Sequence, residues 1–139
     1  VGTPFRYETL VRLRDTDAAG VIYFANQFVM VHEAYEHWLS SVDCEMVDLL
    51  ENWNTVPLIA RAESDYRAPI KVSDRLTLEM RCVKLSRRSY TMVTDLYRDG
   101  TLVGSSRFVH VAVDREAGRT GTLPEKLVRA LEQITDLEG

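Results

Sequence analysis

Asp15 and Asp17 stand two residues apart in the run Arg14-Asp15-Thr16-Asp17-Ala18-Ala19-Gly20-Val21-Ile22-Tyr23-Phe24, directly ahead of a long amphipathic segment. A carboxylate beside a helix start can act where charge develops on a substrate oxygen. The first N–H groups of a helix have no intrahelical acceptor, and the helix dipole favours negative charge there. On this reading Asp17 supplies the reactive group and the helix start stabilises the oxyanion. The plain alternative makes Asp17 a turn or capping residue, a role that suits Asp equally. Asp15 reads as a residue that stabilises the loop. Gly20 either relaxes the backbone before the helix or lets a ligand approach closely.

Other polar groups point elsewhere. His32-Glu33-Ala34-Tyr35-Glu36-His37 superficially resembles a zinc-binding helix, but such helices place two histidines at i and i+4. Here they lie five residues apart, about 140° around a helix of 3.6 residues per turn, and Glu36 occupies i+4. No metal is expected. Arg87-Arg88-Ser89, preceded by Lys84, is the densest basic cluster. His110 falls within a strand pattern and reads as a hydrogen-bonded structural residue. Cys44 and Cys82 match no metal or redox spacing and read as packing residues.

The elements that must position these residues follow from pattern. Phe5 to Leu13 alternates like a strand. From Tyr23 to Val42 the apolar residues Phe24, Phe28, Val31, Tyr35, Trp38, Leu39 and Val42 form one helical stripe without Pro or Gly. Phe28, Tyr35 and Trp38 belong to its core face. A shorter helix is expected from Cys44 to Trp53. Pro57 to Tyr66, Arg75 to Leu85, Tyr90 to Arg98 and Leu102 to Val113 read as strands. Asp99-Gly100 is a hairpin signal, and Pro69 with Ser73-Asp74 marks another turn. Pro124 to Leu137 reads as a last helix with Pro in its first turn. Consecutive long strands after one long helix predict an α+β design, an antiparallel sheet wrapped on that helix.

Chain-wide properties narrow the partners. A chain of 139 residues predicts a single domain spanning 1–139. Its net charge of -4 argues against a general nucleic-acid binder. No apolar run nears the roughly 20 residues that span a bilayer, and Val1-Gly2-Thr3-Pro4 lacks a signal-peptide pattern. The expectation is a cytoplasmic protein that binds neither nucleic acid nor membrane.

The element order, together with Asp15-x-Asp17-x-x-Gly20-x-x-Tyr23-Phe24, resembles the hotdog-fold acyl-CoA thioesterases of the 4-hydroxybenzoyl-CoA thioesterase type. The resemblance runs from the first strand to His110-Val111. Asp15-Thr16-Asp17-Ala18-Ala19-Gly20-Val21 with His32-Glu33-Ala34-Tyr35-Glu36 further resembles the cyanobacterial 1,4-dihydroxy-2-naphthoyl-CoA thioesterases of phylloquinone biosynthesis. The resemblance implies a hotdog fold, Asp17 as the catalytic carboxylate and the Phe24 backbone N–H as the group polarising the thioester carbonyl. It also implies a homodimer or homotetramer with sites built between subunits, and no metal or redox cofactor.

Under that reading Asp17 acts either as nucleophile, through a transient anhydride, or as general base on water. The leaving CoA thiolate, from a thiol of pKa about 8.5, needs little help from an acid. Tyr23, Phe24 and Tyr66 would line the acyl pocket, and Asn26 or Gln27 would bind an aryl hydroxyl. His32 and Glu33 face that pocket, the subunit interface or solvent. Arg87, Arg88 and Ser89 would hold the phosphates of CoA. The expected substrate is 1,4-dihydroxy-2-naphthoyl-CoA. The alternatives are 4-hydroxybenzoyl-CoA or general acyl-CoA hydrolysis, or a non-catalytic module that binds acyl-CoA or acyl-carrier protein.

Overall fold

The apolar stripe of the long segment folds as α1 (Phe24–Ser41), which buries Gln27, Met30, Val31, Ala34, Tyr35, Trp38 and Leu39 along one face. This spacing repeats at three and four residues, as a single buried helix face requires. The computed structural model describes residues 2–138. After α1 come α2 (Met46–Asn52), β2 (Thr55–Tyr66), β3 (Arg75–Leu85), β4 (Ser89–Arg98), β5 (Thr101–Asp114), β6 (Arg119–Thr120) and α3 (Glu125–Glu132), with β1 (Phe5–Leu10) ahead of them all. The strands form one antiparallel sheet in the order β1-β3-β4-β5-β2, with β6 beside β5.

The sheet curls around α1. Four strand spacings of about 4.8 Å would hold the edge strands of a flat sheet roughly 19 Å apart, wider than a helix of about 10–12 Å. Yet α1 contacts both edge strands, β1 and β2, as well as β3 and β5. Two buried clusters result. One, near the end of α1, gathers Trp38, Leu39, Tyr90, Met92 and the α3 residues Leu127 and Leu131. The other, near its beginning, gathers Met30, Val31, Leu76, Leu78, Leu96 and Phe108. Cys44 and Cys82 are buried free thiols, as expected of packing residues. The β4–β5 turn carries Asp99 at φ 50° and Gly100 at φ 78°, the pair of left-handed residues that an Asp-Gly hairpin supplies. No helix among the described residues is long and apolar enough to cross a membrane.

Several boundaries differ from the sequence pattern for non-local reasons. The first strand ends at Leu10 rather than Leu13, because β3 begins opposite it at Arg75; Leu13–Asp15 instead forms a 3₁₀ turn. The last helix stops at Glu132 rather than Leu137. Beyond Met80, β3 has outrun its β1 partner, and the segment after α3 takes up the vacant edge. Cys82 N–H donates to Ile134 O at 2.9 Å, Asp136 N–H to Cys82 O at 2.8 Å and Glu138 N–H to Val83 O at 2.9 Å. Phe24 is 60% exposed rather than part of the core stripe, and Gln27 is buried in that stripe.

His110 departs from expectation too. It is structural, but neither ring nitrogen has a hydrogen-bond partner. The ring instead stacks against Tyr90 (centroids 4.6 Å apart, 9° between planes) and Tyr35 (4.7 Å, 25°), whose hydroxyls bond each other at 2.5 Å. Burial, aided by the nearby His32, pushes its pKa down from 6.5 to about 3. The native imidazole therefore stays neutral while the unfolded chain takes up a proton below 6.5, so stability falls as pH drops from 6.5 toward 3. The slope contributed is about 1.4 kcal/mol per pH unit. His110→Phe should flatten this part of a urea-midpoint-against-pH curve; an unchanged slope would mean that His110 protonates in the folded state.

Candidate active site

The turn bearing Asp17 is built almost wholly from backbone hydrogen bonds. Thr16 pairs with Ile22 in an antiparallel bridge; Asp17 N–H donates to Val21 O at 2.9 Å and Gly20 N–H to Asp17 O at 3.0 Å. Gly20 sits at φ +81° with open space where a Cβ would lie, so the turn requires its conformation rather than its small size. The Asp17 carboxylate is not the helix cap. Its Oδ1 accepts the Ala19 N–H at 2.8 Å, an Asx-type turn, and the side chain stands exposed at the protein surface.

Three contacts hold this turn, one to the segment between β2 and β3 and two to the start of α1. Ile22 N–H donates to Ile70 O at 2.7 Å and Tyr23 N–H to Asp15 O at 2.9 Å. The same Asp15 carbonyl accepts Asn26 Nδ2 at 3.0 Å. The Asp15 carboxylate, in turn, accepts the Arg12 N–H at 2.8 Å, the loop-stabilising role expected of it. Tyr23 is the N-cap residue of α1, and no side chain caps the helix. Among the described residues no acceptor takes the Phe24 N–H. On the far side, the Tyr66 hydroxyl donates to Phe24 O at 2.6 Å, tying the first helical residue to the end of β2. An exposed carboxylate and a free helix N–H thus share one rigid turn.

The expected pocket residues divide into two sets. Phe28, Val29, His32, Glu33 and Glu36 of α1 face Ile59 and Ala62 of β2 and Phe108 of β5 across a groove of about 470 Å³. His32 Nδ1 lies 4.0 Å from Glu36. Tyr23 and Tyr66, each 46% exposed, and Phe24, 60% exposed, lie at the start of the same helix, with the Tyr23 and Phe24 rings 4.8 Å apart. Asn26 and Gln27 are placed differently. Asn26 has its amide nitrogen committed to Asp15. Gln27 is fully buried, donates to Asp65 O at 3.1 Å and leaves its Oε1 without a partner. It lies over the bare backbone of Gly104, where a Cβ would come within 2.9 Å of Oε1. A larger cavity, about 590 Å³, lies among Gly2, Leu85 and the residues after α3 and holds none of the expected site residues.

Arg87, Arg88 and Ser89 are not brought to Asp17 within one protomer. They form the β3–β4 turn, closed by Ser89 N–H on Ser86 Oγ at 3.2 Å. The Asp17 turn sits at the other end of the strands, where Val21 bridges Lys71 just ahead of β3. The 11 residues of β3 set these ends roughly 35 Å apart along the strand, at about 3.3 Å per residue. No cluster of three or more candidate metal ligands exists among the described residues. The Tyr66 contact has no local signal in sequence, since it joins segments distant along the chain.

The thioesterase-like superfamily matches residues 11–131. The chain belongs to that superfamily. A 1,4-dihydroxy-2-naphthoyl-CoA hydrolase of Synechococcus elongatus is 30% identical over 133 residues, covering 95% of this chain and 98% of the relative. The corresponding hydrolase of Nostoc punctiforme is 32% identical over 136 residues, covering 97% and 92%. Among solved structures, a 1,4-dihydroxy-2-naphthoyl-CoA thioesterase from Synechocystis superposes with a TM-score of 0.89 at 28% identity, covering 94% of this chain and 97% of that one. A Staphylococcus aureus protein solved in complex with CoA shares the fold at 13% identity and a TM-score of 0.87. The fold is the hotdog of this superfamily, a curled antiparallel sheet with its long helix inside.

The free N–H can be tested without disturbing the helix. Pro is favoured at the first helical position, and Tyr23 already has the extended backbone (φ -66°, ψ 132°) that a following Pro demands. Phe24→Pro should keep the helical circular dichroism yet lower kcat by about 10²–10³-fold, the usual cost of one oxyanion donor. Phe24→Ala, which retains the N–H, should lose far less; equal losses would locate the effect in the side chain.

Proposed function

We propose that this protein hydrolyses an aromatic acyl-CoA thioester, 1,4-dihydroxy-2-naphthoyl-CoA, to 1,4-dihydroxy-2-naphthoate and CoA. The observation that carries the reading is the exposed Asp17 carboxylate docked, through the Asp15 carbonyl, on the uncapped start of α1. A thioester carbonyl placed on the Phe24 N–H would present its carbon to Asp17 or to a water that Asp17 activates. Negative charge then develops on the carbonyl oxygen at the positive end of the helix dipole. The thiolate departs without an acid. The relatives' shared activity supports the naphthoyl ester, and the groove of about 470 Å³ between α1 and β2 has the size and apolar walls that a bicyclic aromatic acyl group needs. The whole chain works as one domain, in the cytoplasm where acyl-CoA is made and used.

The same reading requires a second copy. β2 is a 12-residue edge strand with Leu58 and Ile59 exposed, and Val29 and Phe24 of α1 lie exposed nearby. A long apolar edge invites pairing unless something covers it. Antiparallel pairing of two β2 strands about a two-fold axis covers it, closes the groove and reverses the partner's strands. The partner's Arg87 and Arg88 then lie at the Asp17 end, within reach of the CoA phosphates.

Two measurements test this. CoA release, followed with a thiol reagent, should be fastest from 1,4-dihydroxy-2-naphthoyl-CoA, slower from 4-hydroxybenzoyl-CoA and a medium-chain acyl-CoA, and about 10²–10⁴-fold lower in Asp17→Asn. Retained rates in that variant would remove Asp17 from the chemistry, and binding without release would make the protein an acyl-CoA-binding module. In light scattering the protein should run at twice or four times its 15.9 kDa chain mass, and Arg87→Gln/Arg88→Gln should raise KM more than it lowers kcat. A monomer with full activity would exclude the shared site.

A further inference from the structure

Gln27 is the buried amide of α1, and the hydrolytic reading gives it no task. It is excluded from water completely, its Nε2 donates to Asp65 O at 3.1 Å, and its Oε1 has no partner. An unmet acceptor inside a protein costs stability, so packing alone would favour an apolar side chain of the same length. The backbone beneath makes room for this amide instead. At Gly104 a Cβ would come within 2.9 Å of Oε1 and 3.0 Å of Nε2. Gly104 lies in β5 opposite Tyr66, and its backbone is not in the left-handed region that would itself call for glycine. What the position requires is the missing side chain, and what fills the space is Gln27.

The place of the acceptor gives the amide its meaning. Asp65 is followed by Tyr66, whose hydroxyl donates to Phe24 O at 2.6 Å. Phe24 and Gln27 stand three residues apart on α1, about one helical turn. Two neighbouring residues at the end of β2 therefore hold two points of the first turn, one through a side-chain hydroxyl and one through a main-chain carbonyl. On another side Asn26 Nδ2 donates to Asp15 O at 3.0 Å. A single bond to β2 would leave the turn free to swing about the bonded atom. The second bond, one turn along, removes that rotation. No side chain caps α1, so the direction of the Phe24 N–H depends on these ties.

We propose that Gln27 is a positioning residue that fixes the Phe24 N–H through the Asp65–Tyr66 end of β2, without touching the substrate. This role rests on the hydrolytic reading above and deepens it. An oxyanion donor stabilises the transition state only while it points at the developing charge, and a misplacement of about 1 Å can cost about 10²-fold in rate. Gln27 stiffens the donor from behind. Buried between α1 and β5, it takes no space from the acyl group, and the main-chain turn that carries Asp17 does not depend on it.

Gln27→Met keeps the length of the side chain and removes its donor. In this variant kcat for 1,4-dihydroxy-2-naphthoyl-CoA should fall roughly 10- to 100-fold with KM nearly unchanged. Amide-nitrogen NMR relaxation should report a looser Phe24, with Met30 to Leu39 as rigid as before. Gly104→Ala should act alike, because its Cβ pushes the amide aside. Adding Gln27→Ala to Gly104→Ala gives that Cβ its room, so the urea midpoint should recover while kcat stays low. Recovery of kcat together with the midpoint would make Gln27 a packing residue and overturn the assignment. A raised KM at unchanged kcat would overturn it too, as would a Phe24 amide equally rigid in Gln27→Met and the wild type. If the wild type releases no CoA from any ester yet Gln27→Met still loosens the Phe24 amide, the hydrolytic reading fails and the hold of Gln27 on the helix start stands.

Discussion

Burial of one face of α1 is the constraint on which the rest of this structure depends. Trp38, Leu39 and Ala34 are excluded from water almost completely, each large apolar side chain contributing about 1.5–3 kcal/mol. To cover that face from both sides the sheet has to curl, and curling brings β2 and its Tyr66 back to the beginning of the helix. The helix start is thus fixed by packing along its whole length and by a hydroxyl on its first carbonyl. Its unpaired N–H groups are held in place without any cap of their own. Rigid presentation of a backbone donor is what electrostatic stabilisation of an oxyanion requires.

The chemistry proposed here draws on little beyond that rigidity. The Asp17 turn is held by main-chain bonds rather than by neighbouring side chains. The groove between α1 and β2, proposed to take the acyl group, lies elsewhere, with apolar walls from Phe28, Ile59, Ala62 and Phe108 and a polar rim from His32, Glu33 and Glu36. On the proposed reading, reactive group and selecting surface therefore occupy different elements. Such a division lets the acyl preference change by substitution along β2 and α1 without moving the carboxylate.

Much of this was legible in the sequence where it depended on local pattern. The 3.6-residue stripe of α1, the long strands, the Asp99-Gly100 turn and the Asp17–Phe24 run are each signals within a few residues, and each lies within a residue or two of where it was expected. The errors came where distant segments decide. Leu10 ends its strand because of Arg75, and Glu132 ends its helix because Cys82 and Val83 need partners. Gln27, polar and near a helix start, looked like a ligand contact; it is buried because Gly104, far along the chain, has no side chain there. His110 lacks any hydrogen bond because it is packed against two tyrosines from different elements whose hydroxyls are spent on each other. The placement of Arg87 and Arg88 relative to Asp17 is likewise a property of topology, invisible to spacing.

The vacant edge of β3 has a consequence for the order in which the molecule can form. One half of that edge is paired by Phe5–Leu10 and the other by residues 134–138, so both ends of the chain meet on a single strand. These are contacts of very high sequence separation, the kind that slow folding because loop closure precedes any reward. The hairpins β3–β4 and β4–β5 close over short separations, whereas the β3 edge waits for two segments that lie far from it along the chain, so completing that edge is the slow step in forming the sheet.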